Sequence, residues 1–314
     1  NWSNLGNWST NAIPSTSQIA TFNSNPSNPV STLGGVYTID GISFTSGATT
    51  GITLGILNDY VLTLDGGATT DVNIQAGSGA HTIHSALNIT GSHSWANASS
   101  NVFTAAGNVS FGTSATSATV AFTNAGSGGW VLGSTDAIIR NNNAGDLTLT
   151  VGNSGAANDL TLNGTVYITN SSTGRTFRIA PAAGSIVDIN AVLANGDGVT
   201  GTGGSGFLIG NASGNTGTVN LNATKTYTGT TTINNGATLN VNAAITNGGI
   251  WDIDGGILNW NVINTTMGSL YLGGGGVGTL STVNIAEGVT MNLGGNIITE
   301  HSSNQSGLAT IQGG

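Results

Sequence analysis

Thr218-Val-Asn-Leu-Asn222 is followed by Thr238-Leu-Asn-Val-Asn242, Asn259-Trp-Asn-Val-Ile263 and Thr282-Val-Asn-Ile-Ala286, with starts 20, 21 and 23 residues apart. In each copy an Asn stands between two apolar residues. Successive side chains of an extended chain point to opposite sides, so the apolar pair faces one way and the Asn the other. A short strand plus turn-forming residues, repeated at a period near 20, is the pattern of a solenoid, whose coils bury their apolar sides against one another. Stacking the copies predicts an inward column of Val219/Leu221, Leu239/Val241, Trp260/Val262 and Val283/Ile285. It also predicts an outward ladder of Asn220, Asn240, Asn261 and Asn284, whose amides hydrogen-bond along the axis.

Gly, Asn, Ser and Thr make up just over half of the 314 residues, only 5 % are charged and 38 % are hydrophobic. Disordered polar chains usually carry many charges and few aliphatics. Here the aliphatics alternate with Thr, Asn and Asp, as in Val61-Leu-Thr-Leu-Asp65, Asp146-Leu-Thr-Leu-Thr150 and Ile186-Val-Asp-Ile-Asn190. Alternation with period two, bounded by Gly and Asn, reads as many short strands, and no stretch reads as helix. The fold class is therefore all-β, a parallel β-solenoid of about fifteen coils of roughly 20 residues, on the order of 70 Å long at the strand spacing. Asn-Gly pairs at 163–164, 195–196, 235–236 and 247–248 mark turns that want positive φ. The Gly-rich stretches 201–206 and 273–276 read as corner loops.

Residues 1–32 differ from the remainder, 33–314. They hold Trp2, Trp8, Phe22 and three of the four prolines, Pro14, Pro26 and Pro29. Proline cannot donate to a ladder, so this block is expected to cap the first rung or dock a neighbouring subunit, with Trp2, Trp8, Pro14 and Phe22 as the contacts. The tail after Ile297 turns polar (Glu300 to Gln305) yet ends in strand-like Thr310-Ile-Gln-Gly-Gly314 without a cap. Such an end is expected to be completed by another chain or to mark a truncation.

The segment Tyr227-Thr-Gly-Thr-Thr-Thr-Ile-Asn-Asn-Gly-Ala-Thr-Leu239 resembles the autotransporter-associated β-strand repeat, through Tyr227, Gly229, Thr231, Ile233 and Gly236, with the closing Leu239 one residue late. Asn1-Trp-Ser, Asn7-Trp-Ser, Pro14 and Ala20-Thr-Phe22 are similar to the N-terminal boundary of large secreted proteins with such repeats. The resemblance covers about 35 residues. It implies a right-handed parallel β-helix exported to the cell surface. The membrane β-barrel that ends a typical member of the family has no counterpart in the pattern of this sequence.

The net charge of −9 reflects a shortage of bases, namely Arg140, Arg175, Arg178 and Lys225. Phosphate backbones and anionic membrane surfaces need basic clusters, so neither nucleic acid nor membrane is an expected partner. No apolar run approaches the ~18 residues of a membrane span. The chain starts at Asn1 without a leader and holds no cysteine. It reads as a mature secreted product or a fragment, without disulfides.

Enzymatic use of such a fold wants paired carboxylates, or acids binding Ca²⁺ beside a basic group. The chain has Glu287, Glu300 and eleven scattered aspartates. Asp252 and Asp254, in Trp251-Asp-Ile-Asp254, share one strand face beside an aromatic and are the best candidates for a cation or a sugar, although outward acids usually just meet solvent. Asp188 with Asp197 is not a convincing pair. Arg175 and Arg178, and likewise His81 and His84, are three apart and face opposite sides of a strand. No catalytic constellation and no cofactor is expected. The expected function is a non-enzymatic structural rod joining its own copies head to tail into a surface fibre or sheath; the alternatives are a monomeric adhesin binding glycans or proteins through exposed aromatics such as Trp95, Trp130 or Tyr271, and a carbohydrate-active enzyme.

Overall fold

In the computed structural model all strand-to-strand pairings are parallel, and the chain winds through three sheets in turn. The structure describes residues 2–313 except 3, 10, 67–69, 113–116, 143–144, 153–158, 169–174, 197–205, 211–215, 247, 264, 274–279 and 300–307. Most of the two Gly-rich stretches, Asp197, Asn247 and the polar tail from Glu300 thus lie outside the described residues. Among the described residues the first sheet runs from Ile19–Phe22 to Ile297–Thr299 and the second from Val30–Ser31 to Leu308–Gly313, each with twelve strands. A third sheet of seven strands runs from Tyr37–Ile39 to Val192–Ala194.

Fifteen coils of 20 residues is therefore too many. The period near 20 belongs only to the C-terminal third. There the bonds Asn240–Asn220 and Asn259–Asn240 join residues 20 and 19 apart, whereas Asn220–Asp188 spans 32 and Ile138–Asn108 spans 30. Coil length varies along the rod: Thr82 to Thr104 takes 22 residues in an early coil that carries a strand on the third side, and the last coils lengthen again to 25 and 28. Beyond Ala194 that side shrinks to the single bridges Leu193–Lys225 and Lys225–Ile245, then to Thr266–Met267 beside Asn292–Leu293.

Alternation sets the core. Strands such as Val61–Leu64, Leu147–Val151 and Thr218–Leu221 bury every second side chain. In-register stacking puts Phe22 on Phe44 at 5.1 Å, and across the core Phe44 stacks on the imidazole of His81 at 4.0 Å while Trp251 meets Trp260 edge-on at 5.6 Å. Trp95 and Trp130 are fully buried, so neither is a surface platform. Corners are closed by buried amides. Asn97 accepts from Ser99 N–H and donates to Asn101 O, and Asn124 accepts from Gly126 N–H and donates to Gly128 O.

The block expected as a cap divides in two. Residues 19–22 and 30–31 are already the first strands of two sheets. Ahead of them Trp2 is buried, tied by its backbone N–H to Thr32 O at 2.8 Å and packed against Trp8, Phe22 and Tyr37, which closes the first rung.

Ionisable groups also enter the interior. His81 Nδ1 accepts from Ile52 N–H, which leaves Nε2 to donate to Ser78 Oγ at 2.7 Å, and desolvation lowers its pKa to about 4. His93 Nδ1 lies 3.2 Å from the Asp71 carboxylate. Lys225 is buried, its ammonium 4.0 Å from the ring centroid of Tyr227 and donating to Tyr227 O, and desolvation lowers its pKa to about 8. An unfolded lysine takes up its proton before Lys225 does, so this group destabilises the fold below pH 8 and the penalty fades as pH rises toward 10.5. The Tyr227 phenol, pushed up by burial, acts in the opposite sense and only above its unfolded value of 10.

Lys225→Met, which keeps the apolar stem and removes the charge, should raise stability at pH 7 by about 1–3 kcal/mol in urea unfolding. The gain should shrink between pH 8 and 10. A constant difference across that range would show that the ammonium is not the cause. His81 has the same sign in a lower window: stability should fall as pH drops from 6.5 toward 4.

Candidate functional site

Of the described features outside the core, the longest continuous one is a pair of amide columns on the second sheet. Thr218–Leu221, Thr238–Val241, Ile257–Trp260 and Leu280–Ile285 pair so that Asn220, Asn240, Asn259 and Asn284 are successive partners. Asn220 Nδ2 donates to Asp188 Oδ1 at 2.8 Å, Asn240 to Asn220 at 2.7 Å, Asn259 to Asn240 at 2.6 Å, Asn284 to Asn259 at 2.7 Å and Gln312 to Asn284 at 2.6 Å.

Asn261 is not in this column. It stands two residues further on, in a second column where Asn190, Asn222, Asn242 and Asn261 each donate to the Asn one coil before, starting from Asn163. The expected alignment set Asn259 against Thr238, whereas Ile257 holds that place. The recurring unit is Asn-x-Asn, at 220/222, 240/242 and 259/261, with Asp188-x-Asn190 as its precursor. Matching the doublets would have given the true register. The inward column follows the same correction: Leu258 and Trp260 stack on Leu239 and Val241, and Val262 packs only at the edge of the core.

Asp188 orients the first column. A carboxylate only accepts, so the first amide must turn its NH₂ toward it, and each following amide must then do the same. The second column starts likewise from an acceptor, Gly133 O, bonded by Asn163 Nδ2 at 3.4 Å. Both columns thus send donors toward the N-terminal end and acceptors toward the C-terminal end, and aligned dipoles of this kind strengthen one another.

Asp252 and Asp254 do share the outward face of Trp251–Asp254, half-buried. Their register partners are Thr232, Tyr271 and Asn234. Trp251 faces the core, so it offers no sugar-stacking ring beside them. Among the described residues no three of His, Cys, Asp or Glu come together, and no helix is long and apolar enough to cross a membrane. His81, Asp71 and His93 are sealed in the interior.

Trp8, Phe22 and Pro14 lie around two adjoining pockets at the N-terminal end. One, of about 370 Å³, is lined by Trp2, Trp8, Phe22 and Val30 among others. The second, of about 340 Å³, is lined by Trp8, Pro14, Ile19 and Thr21 among others.

No family model matches the chain, and neither a curated protein nor a solved structure is significantly similar to it. The segment Tyr227–Leu239 carries one corner of the solenoid: Tyr227 and Ile233 are buried, Gly236 turns at φ +77°, and Leu239 starts the next inward column.

Asn240→Ala removes both bonds of one rung and strands the Asn220 acceptor and the Asn259 donor. It should cost about 1–2 kcal/mol in urea unfolding. Asn88→Ala, whose outward neighbours are Thr63 and Ser110, should stay within about 0.5 kcal/mol. Equal losses would mean that the column adds nothing.

Proposed function

We propose that this chain is an extracellular structural protein, a stiff β-solenoid rod whose copies join head to tail into a surface fibre or sheath. The observation that carries it is the exposure of inward-facing apolar side chains on the last strands of the first two sheets. Ile297 and Ile311 occupy inward-facing register positions, opposite the buried Leu270 and Val283, yet are 49 % and 44 % exposed because no described strand covers them. At the other end Leu5 and Val36 are exposed, and the first strands of the same two sheets, Ile19–Phe22 and Val30–Ser31, have no described strand before them. A second copy set end to end would bring first sheet to first sheet and second to second, and cover Ile297 and Ile311 by β-augmentation. We read the winding as right-handed, the hand parallel crossovers take. The repeat-like segment Tyr227–Leu239, the low charge and the scarcity of tryptic sites favour export to a cell surface.

Electron microscopy of the purified protein over a range of concentrations tests the reading. Unbranched filaments with an axial repeat of roughly 55–60 Å, twelve strand spacings, are expected. Ile297→Asp with Ile311→Asp should leave single rods with unchanged strand content. Filaments persisting in that variant, or wild-type rods that stay single at every concentration, would sink the proposal.

A further inference from the structure

We infer that the paired pockets beside Trp8 form a binding site for an uncharged oligosaccharide on the flank of the rod. The inference stands apart from how copies join. Trp8 is half-buried and held in place: its Nε1–H donates to Trp2 O at 2.9 Å, and its ring meets Trp2 edge-on at 4.8 Å and Phe22 at 6.2 Å. The indole N–H is therefore spent, and a fixed ring surface divides the two pockets. Ile19 and Thr21 lie on the exposed side of the first strand and line the second pocket, so it opens sideways and not along the axis.

The chemistry of the walls selects the ligand class. None of the residues lining either pocket is ionisable; they are aromatic, aliphatic, hydroxyl or amide side chains. Asn23 and Thr21 border both pockets, and neither side chain bonds another described residue. Asn28 spends only its carbonyl, on Val30 N–H at 3.1 Å, and keeps its NH₂. A rigid aromatic face flanked by unspent amide and hydroxyl groups complements a pyranose, which offers an apolar C–H face and a rim of hydroxyls. A carboxylated or sulfated sugar would find no cation here, and a purely apolar ligand would leave the amides unsatisfied. The two volumes, about 370 and 340 Å³, suit a short oligomer lying across Trp8 better than one sugar unit.

Isothermal titration calorimetry with cellohexaose, maltohexaose, xylohexaose and chitohexaose tests the site, with hexagalacturonate as the charged comparison. The Ile311→Asp variant is titrated in parallel, so that the saccharide site and the fibre joint can fail separately. Saturable binding of at least one neutral probe is expected, weakened about tenfold or more by Trp8→Ala. Asn23→Ala combined with Thr21→Val, both at exposed positions, should weaken it without altering the melting transition, which keeps the test open if Trp8→Ala unfolds. The inference is overturned if no neutral hexasaccharide binds up to about 5 mM, if hexagalacturonate binds best, or if the Asn23/Thr21 variant binds as the wild type does.

Discussion

Stacking in parallel register is the constraint on which the structure depends. Each side chain meets the side chain at the same place one coil on, about 4.8 Å away. A residue type that fills a column must therefore complement itself. Leu, Ile, Val and the aromatics do so by packing, and Asn does so because its amide both donates and accepts. Carboxylates and ammonium groups do not: two like charges at that spacing repel by about 1–3 kcal/mol at surface dielectric values. The low charge of the chain follows. Where charges occur on described strands they stand singly in their columns, Asp188 between Thr161 and Asn220, Arg178 between Thr148 and Leu208, Asp252 between Thr232 and Tyr271.

The same constraint decides what can be read from the sequence. Self-complementary columns repeat in the sequence, so the all-β solenoid, the inward Val219, Leu239 and Val283 and an amide ladder were all legible. The register of a single copy was not, because Leu258-Asn-Trp-Asn-Val262 fits two alignments of apolar–Asn–apolar and only the doublet separates them. The coil count failed for a related reason. Coils that carry a third strand lack the Asn-x-Asn unit, so the one clear period came from the part of the rod where the third side is reduced to bridges. Features that occur once leave no period. The aromatic cluster at Trp8 could be named from composition, but the pockets around it depend on how residues 2–18 fold back over the first strands. The burial of Lys225 had no signal, since it takes a place that Leu193 and Ile245 fill on either side.

Lys225 also marks where the cross-section changes. The third sheet ends at Ala194, and the coil of 32 residues from Asp188 to Asn220 is followed by two of 20 and 19. Tyr227, Trp251 and Trp260 are buried beside the contraction, and the ammonium lies within 5.8 Å of the Trp251 ring as well as against Tyr227. A four-carbon stem reaches across space that a shorter side chain would leave empty, and the ring faces offset part of the desolvation of its head.

Polarity of the ladders bears on assembly. Because Asp188 and Gly133 O accept, all the amides above them point donors one way, and Gln312 Oε1 and Asn261 Oδ1 face the C-terminal side as acceptors. The two ends of the rod are thereby chemically distinct, in addition to being shaped differently by Trp2 at one and by Ile297 and Ile311 at the other. Two C-terminal ends set against each other would oppose acceptor to acceptor at Gln312, where the first column reaches the last described strand, and would run their sheets antiparallel. Joining of opposite ends keeps the strand direction and the sheet order. A contact between two different surfaces does not close on itself, so it extends indefinitely. Strand direction, with the acceptor left at Gln312, thus disfavours a dimer of like ends for any rod of this kind that associates through its ends.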